Sequence, residues 1–298
     1  MKYAVITPVR DEEANLRRLG DCMLAQAVQP GEWIIVDNGS TDGTLDAAEA
    51  LSTGYPWIKV VIVAGEPAPL PGAPIVRAFK AGLAALDTTP EVVVKLDADI
   101  SLDSNHFVKL LDQFARRPRL GIASGSCFEL EAGAWTRTHV TGDSVRGAAR
   151  AYRRECLDEV GPLEERMGWD TVDEVRATVR GWETGIIDDL PFFHHRRVGA
   201  RDGGTKRWRA LGESSYYMGY RWSYLALRAL HNARRDPGAL MMIPAFLGAA
   251  LHREPRLEDE AVIRCLRSQQ RLRHLRRRAR EKSGHPPRRG AASAPSVD

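Results

Sequence analysis

A chain of 298 residues, 43% apolar and 28% charged, has enough apolar content for a sizeable core, which excludes the disordered and fibrous classes. Residues 252–298 hold 13 basic and 6 acidic side chains, a net +7, while residues 1–251 hold 30 and 33, a net −3; the overall +4 is a basic tail on a slightly acidic body. Gly238–Leu251, the longest nearly uncharged apolar stretch, falls short of the roughly 18–20 residues of a spanning helix, and Met1-Lys2 leads into only four apolar residues, too few for a signal peptide.

The first half alternates short apolar runs with helical spacing, the pattern of βαβ units and a parallel sheet. Tyr3–Thr7 predicts a strand that stops at Pro8, and Asn15–Ala27 a helix with Asp11-Glu12-Glu13 near its positive end. Trp33–Val36 predicts a second strand, Thr44–Leu51 a helix and Ile58–Val63 a third strand. A Pro/Gly-rich loop, Glu66–Pro74, opens a helix to about Leu86 with Pro74 in its first turn. Glu91–Leu96 reads as a buried central strand, and Ser104–Arg116 as a helix capped by Asp103 or Ser104. Beyond it come a strand at Leu120–Phe128, a loop or strand at Gly142–Ala151 and a short helix at Arg153–Val160. A helix at Asp170–Gly181 and a last strand at Ile186–Phe193 complete this part. A Gly-rich basic loop, Gly199–Trp208, follows; the chain is helical from Ser214, with an Arg-rich helix at about Leu257–Glu281 and a disordered end at Ser283–Asp298. Cys22, Cys127, Cys156 and Cys265 form no close pair, so neither a disulfide framework nor a zinc knuckle is expected, and a cytoplasmic setting is.

Ligands of an open α/β sheet bind beyond the carboxyl ends of its strands. Three acidic clusters stand at such ends: Arg10-Asp11-Glu12-Glu13, Asp37 with Asp42, and Asp97-Ala98-Asp99. Alternate residues share a face, so Asp97 and Asp99 offer hard oxygen ligands together, suited to Mg²⁺ or Mn²⁺ shared with a diphosphate. The segments Val5–Leu16, Ile35–Thr44 and Leu96–Asp99 resemble those of family 2 glycosyltransferases with the GT-A fold, over roughly residues 1–200. The resemblance implies an α/β fold with a Rossmann-like, mostly parallel sheet, a nucleotide-sugar donor, most readily a UDP- or GDP-sugar, divalent-metal dependence and inversion at the anomeric carbon. By it, Thr7, Pro8, Arg10 and Glu12 or Glu13 line the nucleoside pocket, Asp37 contacts the base, Asp97 faces the ribose or donor sugar, and Asp99 binds metal.

Inverting transfer needs a general base for the acceptor hydroxyl. The family's Glu-Asp pair has no full counterpart here: Trp169 stands where the first acid would be, leaving Asp170 as the base and Asp173 as second choice, with helix capping as the structural alternative. In relatives a late His completes the metal shell; His194 is preferred over His195, because adjacent side chains on an extended chain point to opposite faces. Arg196-Arg197 and Gly203-Gly204-Thr205-Lys206-Arg207 read either as a basic lid over a diphosphate or as a solvated linker. Arg77 and Lys80 are within phosphate reach or are surface charges; Ser124-Gly125-Ser126 and Arg146-Gly147 line the acceptor side or are ordinary strand and turn residues.

The aromatic run Tyr216–Leu225, the apolar helix Leu240–Leu251 and the basic tail suggest peripheral contact with an anionic membrane leaflet; the alternative is a helical hairpin packed on the catalytic domain. Nucleic acid is not an expected partner, since no aromatic lies within Leu257–Lys282 to stack on bases. The domains expected are a catalytic unit at 1–208, an aromatic and apolar helical segment at 209–252, and a basic helix and tail at 253–298. The function expected is transfer of a sugar to a lipid-linked or polysaccharide acceptor, in the cytoplasm at the inner membrane face. The rivals are a sugar nucleotidyltransferase, which needs a Gly-rich basic loop where Pro8–Asn15 is acidic and without glycine, and a non-catalytic scaffold.

Overall fold

The computed structural model describes residues 1–65, 70–131, 133–138, 144–196 and 204–271. The apolar runs of the first half become β1 (Tyr3–Val9), β2 (Glu32–Asp37), β3 (Ile58–Ile62) and β4 (Val92–Leu96), all parallel, with β1 between β2 and β4. Their connections are α1 (Glu13–Leu24), α2 (Thr44–Gly54) and α3 (Ala73–Ala84), the last with Pro74 in its first turn. The sheet continues through antiparallel β8 (Ala149–Arg153) to β6 (Leu120–Glu131), parallel β9 (Glu183–His194) and β5 (Ile100–Leu102), while β7 (Ala134–Arg137) pairs the outer part of β6.

Alternation along the strands sorts side chains between two cores. One face buries Tyr3, Val5, Trp33, Ile35, Val92 and Val94 under α1, α2 and α4 (His106–Arg116). The other buries Ile6, Ile34, Val36 and Val93 under α3, α5 (Arg154–Val160) and α6 (Trp169–Val179). Helix α3 comes so close to the sheet that a Cβ on Gly82 would lie 2.4 Å from Ile6 Cγ2, so the contact requires glycine.

Several expectations are corrected. Asp103 and Ser104 do not cap α4; the helix begins at His106, and the Asp103 carboxylate accepts from the Asn105 N–H at 2.8 Å. The last strand starts at Glu183, three residues early, while β5 and β7 are too short to show a period. Gly204–Arg207 form the first turn of α7 (Gly204–Tyr217) and not a lid loop; Arg197 and Gly199–Gly203 lie outside the described residues, as do the end of the predicted Arg-rich helix and Ser283–Asp298.

The C-terminal part packs on the body. Val172 and Val175 of α6 share a cluster with Tyr217, Met218, Leu257, Val262 and Leu266, so α10 (Glu260–Gln269) docks beside α6. Tyr216 joins α8 (Trp222–Ala233) and α9 (Met242–Leu251) in a second cluster with Leu225, Ala229, Met242 and Phe246. Of the aromatic run, Tyr216 and Tyr217 are therefore core residues. No helix among the described residues is long and apolar enough to cross a membrane.

Candidate active site

Strand register brings the acidic clusters to one edge. Val9 pairs with Asp37 and Ile6 with Lys95, so β1, β2 and β4 run out side by side. At the far side Ile100 pairs with His194, which seats the end of β9 next to Asp99.

Arg196 joins the first cluster to the third. Its Nη1 donates to Glu12 Oε1 at 2.8 Å and its Nη2 to Glu12 Oε2 at 2.6 Å, while its Nε lies 3.7 Å from Asp99 Oδ2. On the other Asp99 oxygen stands His194 Nε2, at 3.2 Å. Burial pushes Asp99 up, yet His194 and Arg196 together hold its carboxyl below the usual carboxylate range. Burial likewise opposes protonation of His194, but Asp99 on its Nε2 and the nearby Cys127 sulfur raise its imidazole to about 10. Asp97 is paired by the buried Lys95 ammonium, which also donates to Gly147 O at 3.0 Å. Carboxylate and imidazole donors at adjoining positions fit a divalent cation.

The remaining predicted residues divide. Asp37, 2% exposed, accepts from the Ser40 N–H at 2.8 Å, and this turn carries the second cluster. Pro8 is half-buried and Arg10 exposed at the same edge; Glu13 pairs with Arg17 on α1 and faces solvent. Thr7 is fully buried and its hydroxyl accepts from Trp33 Nε1 at 2.9 Å, so its side chain supports the strand end without lining a pocket. His195 turns away: its Nε2 meets Ser101 Oγ at 2.9 Å. Arg77 and Lys80 are both held by Glu165, at 2.6 and 2.7 Å. Ser124 and Ser126 are buried, the first accepting from the Arg146 N–H and the second donating to Asp188 O.

Helix α6 separates the two base candidates. Gly168, at φ +91°, turns the chain into the helix, where a Cβ would lie 2.6 Å from Ser214 Oγ and 3.1 Å from Met218 Cε. Asp170 follows in the first turn, half-buried, with its Oδ2 facing Gly147; the next residue, Ala148, accepts through its carbonyl from the Asp97 N–H. Asp173, one turn on, is 0% exposed, bonded to Arg150 Nη2 at 2.6 Å and to the Tyr152 hydroxyl at 2.5 Å. Burial raises its pKa to about 7 against the opposing pull of Arg150, and no acceptor reaches this carboxyl inside the core.

Two site residues escaped the sequence reading. Lys95 was legible as a cation inside an apolar central strand, which demands a buried partner. Arg196 was read only as part of a lid, since nothing local links it to Glu12, 184 residues earlier.

The sequence matches the family described as Glycosyl transferase family 2 over residues 4–158, more than half the chain. The chain belongs to that family. It is a glycosyltransferase with the GT-A fold. Uncharacterized glycosyltransferases of Mycobacterium tuberculosis and Mycobacterium bovis are each 31% identical over 198 residues, covering 62% of this glycosyltransferase and 82% of the relative. Among solved structures, a mannosyltransferase of Pyrobaculum calidifontis in complex with GDP-Man and Mn²⁺ superposes with a TM-score of 0.54 at 17% identity, covering 95% of this chain and 87% of its own. Glucosyl-3-phosphoglycerate synthase of M. tuberculosis, in complex with Mn²⁺, UDP and glucosyl-3-phosphoglycerate, gives 0.52 at 19% identity over 70% and 78%. At these identities the structural likeness bears on the fold.

Proposed function

We propose that this glycosyltransferase moves a sugar from a UDP- or GDP-sugar to the hydroxyl of a lipid-linked or polysaccharide acceptor, with inversion and with Asp170 as general base. The observation that carries the reading is the chain of contacts Glu12–Arg196–Asp99–His194, which gathers an acid, a cation and two metal-type donors at the sheet edge where nucleotides bind in such folds. The mannosyltransferase with GDP-Man and Mn²⁺ and the synthase with UDP and Mn²⁺ support it by analogy of fold.

Asp99 and His194 would hold a Mn²⁺ or Mg²⁺ ion, which supplies positive charge beside the leaving diphosphate. Asp37 and Arg10, at the ends of β2 and β1, receive the nucleoside, and Asp97 faces the ribose or sugar. Asp170 takes the proton of the acceptor hydroxyl as its oxygen bonds the anomeric carbon from the side opposite the diphosphate; the diphosphate leaves with the electron pair of the broken C–O bond. Arg196 neutralises charge at Glu12 and Asp99 and keeps the two clusters in register. An acceptor at the membrane is supported by the exposed apolar side chains of α8 and α9.

Thermal denaturation with UDP, GDP, CDP and dTDP, each with and without Mn²⁺, tests the donor. A nucleotide at 100 times its dissociation constant stabilises by about 2.7 kcal/mol, a shift of several degrees. Absence of a metal-dependent shift with every nucleotide overturns the reading.

A further inference from the structure

His194 has a second side. Its Nε2 faces Asp99, but its Nδ1 is buried and has no hydrogen-bond partner among the described residues, on a side chain only 9% exposed. Parallel pairing of β6 with β9 sets Glu129 opposite His194, and Cys127, two residues back, shares the face of Glu129. Cys127 and Glu129 are 3% and 8% exposed, and the ligand atoms of Cys127, Glu129 and His194 all lie within 4.8 Å of one another. Donors around a four-coordinate zinc ion stand about 3.3–3.8 Å apart, so modest contraction closes this set on an ion.

We propose that Cys127, Glu129 and His194 form a binding site for a thiophilic divalent cation of the zinc class, behind the donor edge. The donor set is chemically unlike the Asp99 side: a thiolate selects zinc over magnesium or manganese. Charge agrees, since a thiolate and a carboxylate with a neutral imidazole balance a dication in a place where one unpaired charge is costly. Three protein donors leave the fourth position to water. His194 belongs to both sites: an ion on Nδ1 leaves Nε2 protonated as a donor to Asp99, so the ring no longer ligates a metal beside that carboxylate. This last step rests on the donor reading above, and it makes zinc an antagonist of the metal-dependent reaction.

Cobalt(II) is the probe. Titration of the metal-free full chain with Co²⁺ is expected to give a near-ultraviolet thiolate-to-cobalt band at one equivalent, displaced by Zn²⁺. C127S and H194A lose the band; C265S, which alters the half-buried thiol outside the cluster, keeps it; and D99A keeps it while losing Mn²⁺-dependent nucleotide binding. E129Q, which spares the thiol, is expected to weaken cobalt binding by at least about tenfold, and serves if C127S fails to fold. Absence of a band in the wild type, or a band unchanged in C127S, overturns the site. A band lost in D99A assigns the ion to the Asp99 side and overturns it as well. A D99A protein that keeps the band but binds nucleotide normally with Mn²⁺ leaves this site standing and removes the donor reading instead.

Discussion

Asp170 and Asp173 lie one helical turn apart and are separated by a single quantity, access. Asp170 is half-buried beside Gly147, whereas Asp173 is sealed against Arg150 and Tyr152. Opposite phenotypes follow. D170N is expected to lower kcat by about 10²–10⁴ while leaving nucleotide affinity and melting temperature near wild type. D173A leaves the buried guanidinium of Arg150 with only the more distant Glu174, at 3.8 Å, and is expected to cost about 3–5 kcal/mol of stability, read by denaturant unfolding. A D170N enzyme with full turnover removes Asp170 as base; a D173A protein of normal stability contradicts the buried pair. Arg196 gives a third test: R196A is expected to weaken nucleotide binding about tenfold or more by calorimetry, since charge-assisted bonds contribute about 1.5–3 kcal/mol. The acids of this site were legible because a carboxylate at a strand end stands out against apolar neighbours. Thr7 misled, since strand position cannot tell a pocket-lining hydroxyl from one bonded to Trp33. The partners of Cys127 and Glu129 were illegible for a different reason: they arise from pairing two strands about 65 residues apart in sequence.

Helix α4 and strand β9 meet at His106, the first residue of the helix, 2% exposed and with an unpartnered Nδ1 among the described residues. Burial lowers its imidazole to about 4; Asp103 and a hydrogen bond to Pro191 oppose that, and Lys109 adds to it. The folded state therefore holds His106 neutral, while the unfolded chain takes up a proton below about 6.5. Stability is full above that value and declines as pH falls to about 4, by about 3 kcal/mol. Glu32 acts in a lower window. Although burial pushes it up, Lys59, Thr88 and the Asp87 N–H lower it to about 2, so its contribution is present above about 4.5 and is lost as pH falls toward 2. Unfolding free energies between pH 8 and 4 are expected to decline in the wild type and to flatten in H106F; an equal slope in both dismisses His106 as the cause. The parallel strands were readable because burial on both faces makes continuous apolar runs, as in Val92-Val93-Val94. Strand β8 was left between loop and strand because Arg150 and Arg153 interrupt its apolar residues, and their charges are answered only by tertiary partners. The start of α7 was read as loop for its glycine and cations, which local pattern alone does not distinguish from a helix end.

At the scale of the whole molecule, the basic excess and a run of exposed apolar residues follow the acidic clusters in sequence. The C-terminal helices keep Tyr216, Leu225, Met242 and Phe246 inside, yet expose Trp222 at 46%, Leu230 at 55% and Leu251 at 81%, with Leu227 and Leu247 also open to solvent. On α9, Pro244, Leu247 and Leu251 recur at helical spacing opposite the buried Met242, Phe246 and Ala249, and Leu240 is exposed in the turn just before it. Arg228, Arg234, Arg235 and Arg253 accompany them in sequence, and residues 252–298 add a net +7. An apolar face flanked by guanidinium groups complements a leaflet rich in anionic lipid, where each nearby cation adds about 1 kcal/mol and an inserted leucine about 1.5–3 kcal/mol. On the proposed reading this face meets lipid, and the lipid end of a lipid-linked acceptor would then lie in the same surface. The full-length protein is expected to sediment with vesicles containing 30% phosphatidylglycerol and not with pure phosphatidylcholine. Added salt shortens the reach of the charges and should release it. The double substitution L247E/L251E, at two exposed positions, should reduce binding more than tenfold without moving the melting temperature. Equal binding to neutral vesicles would leave the basic tail without a role, and unchanged binding of L247E/L251E would take the apolar face out of the interaction.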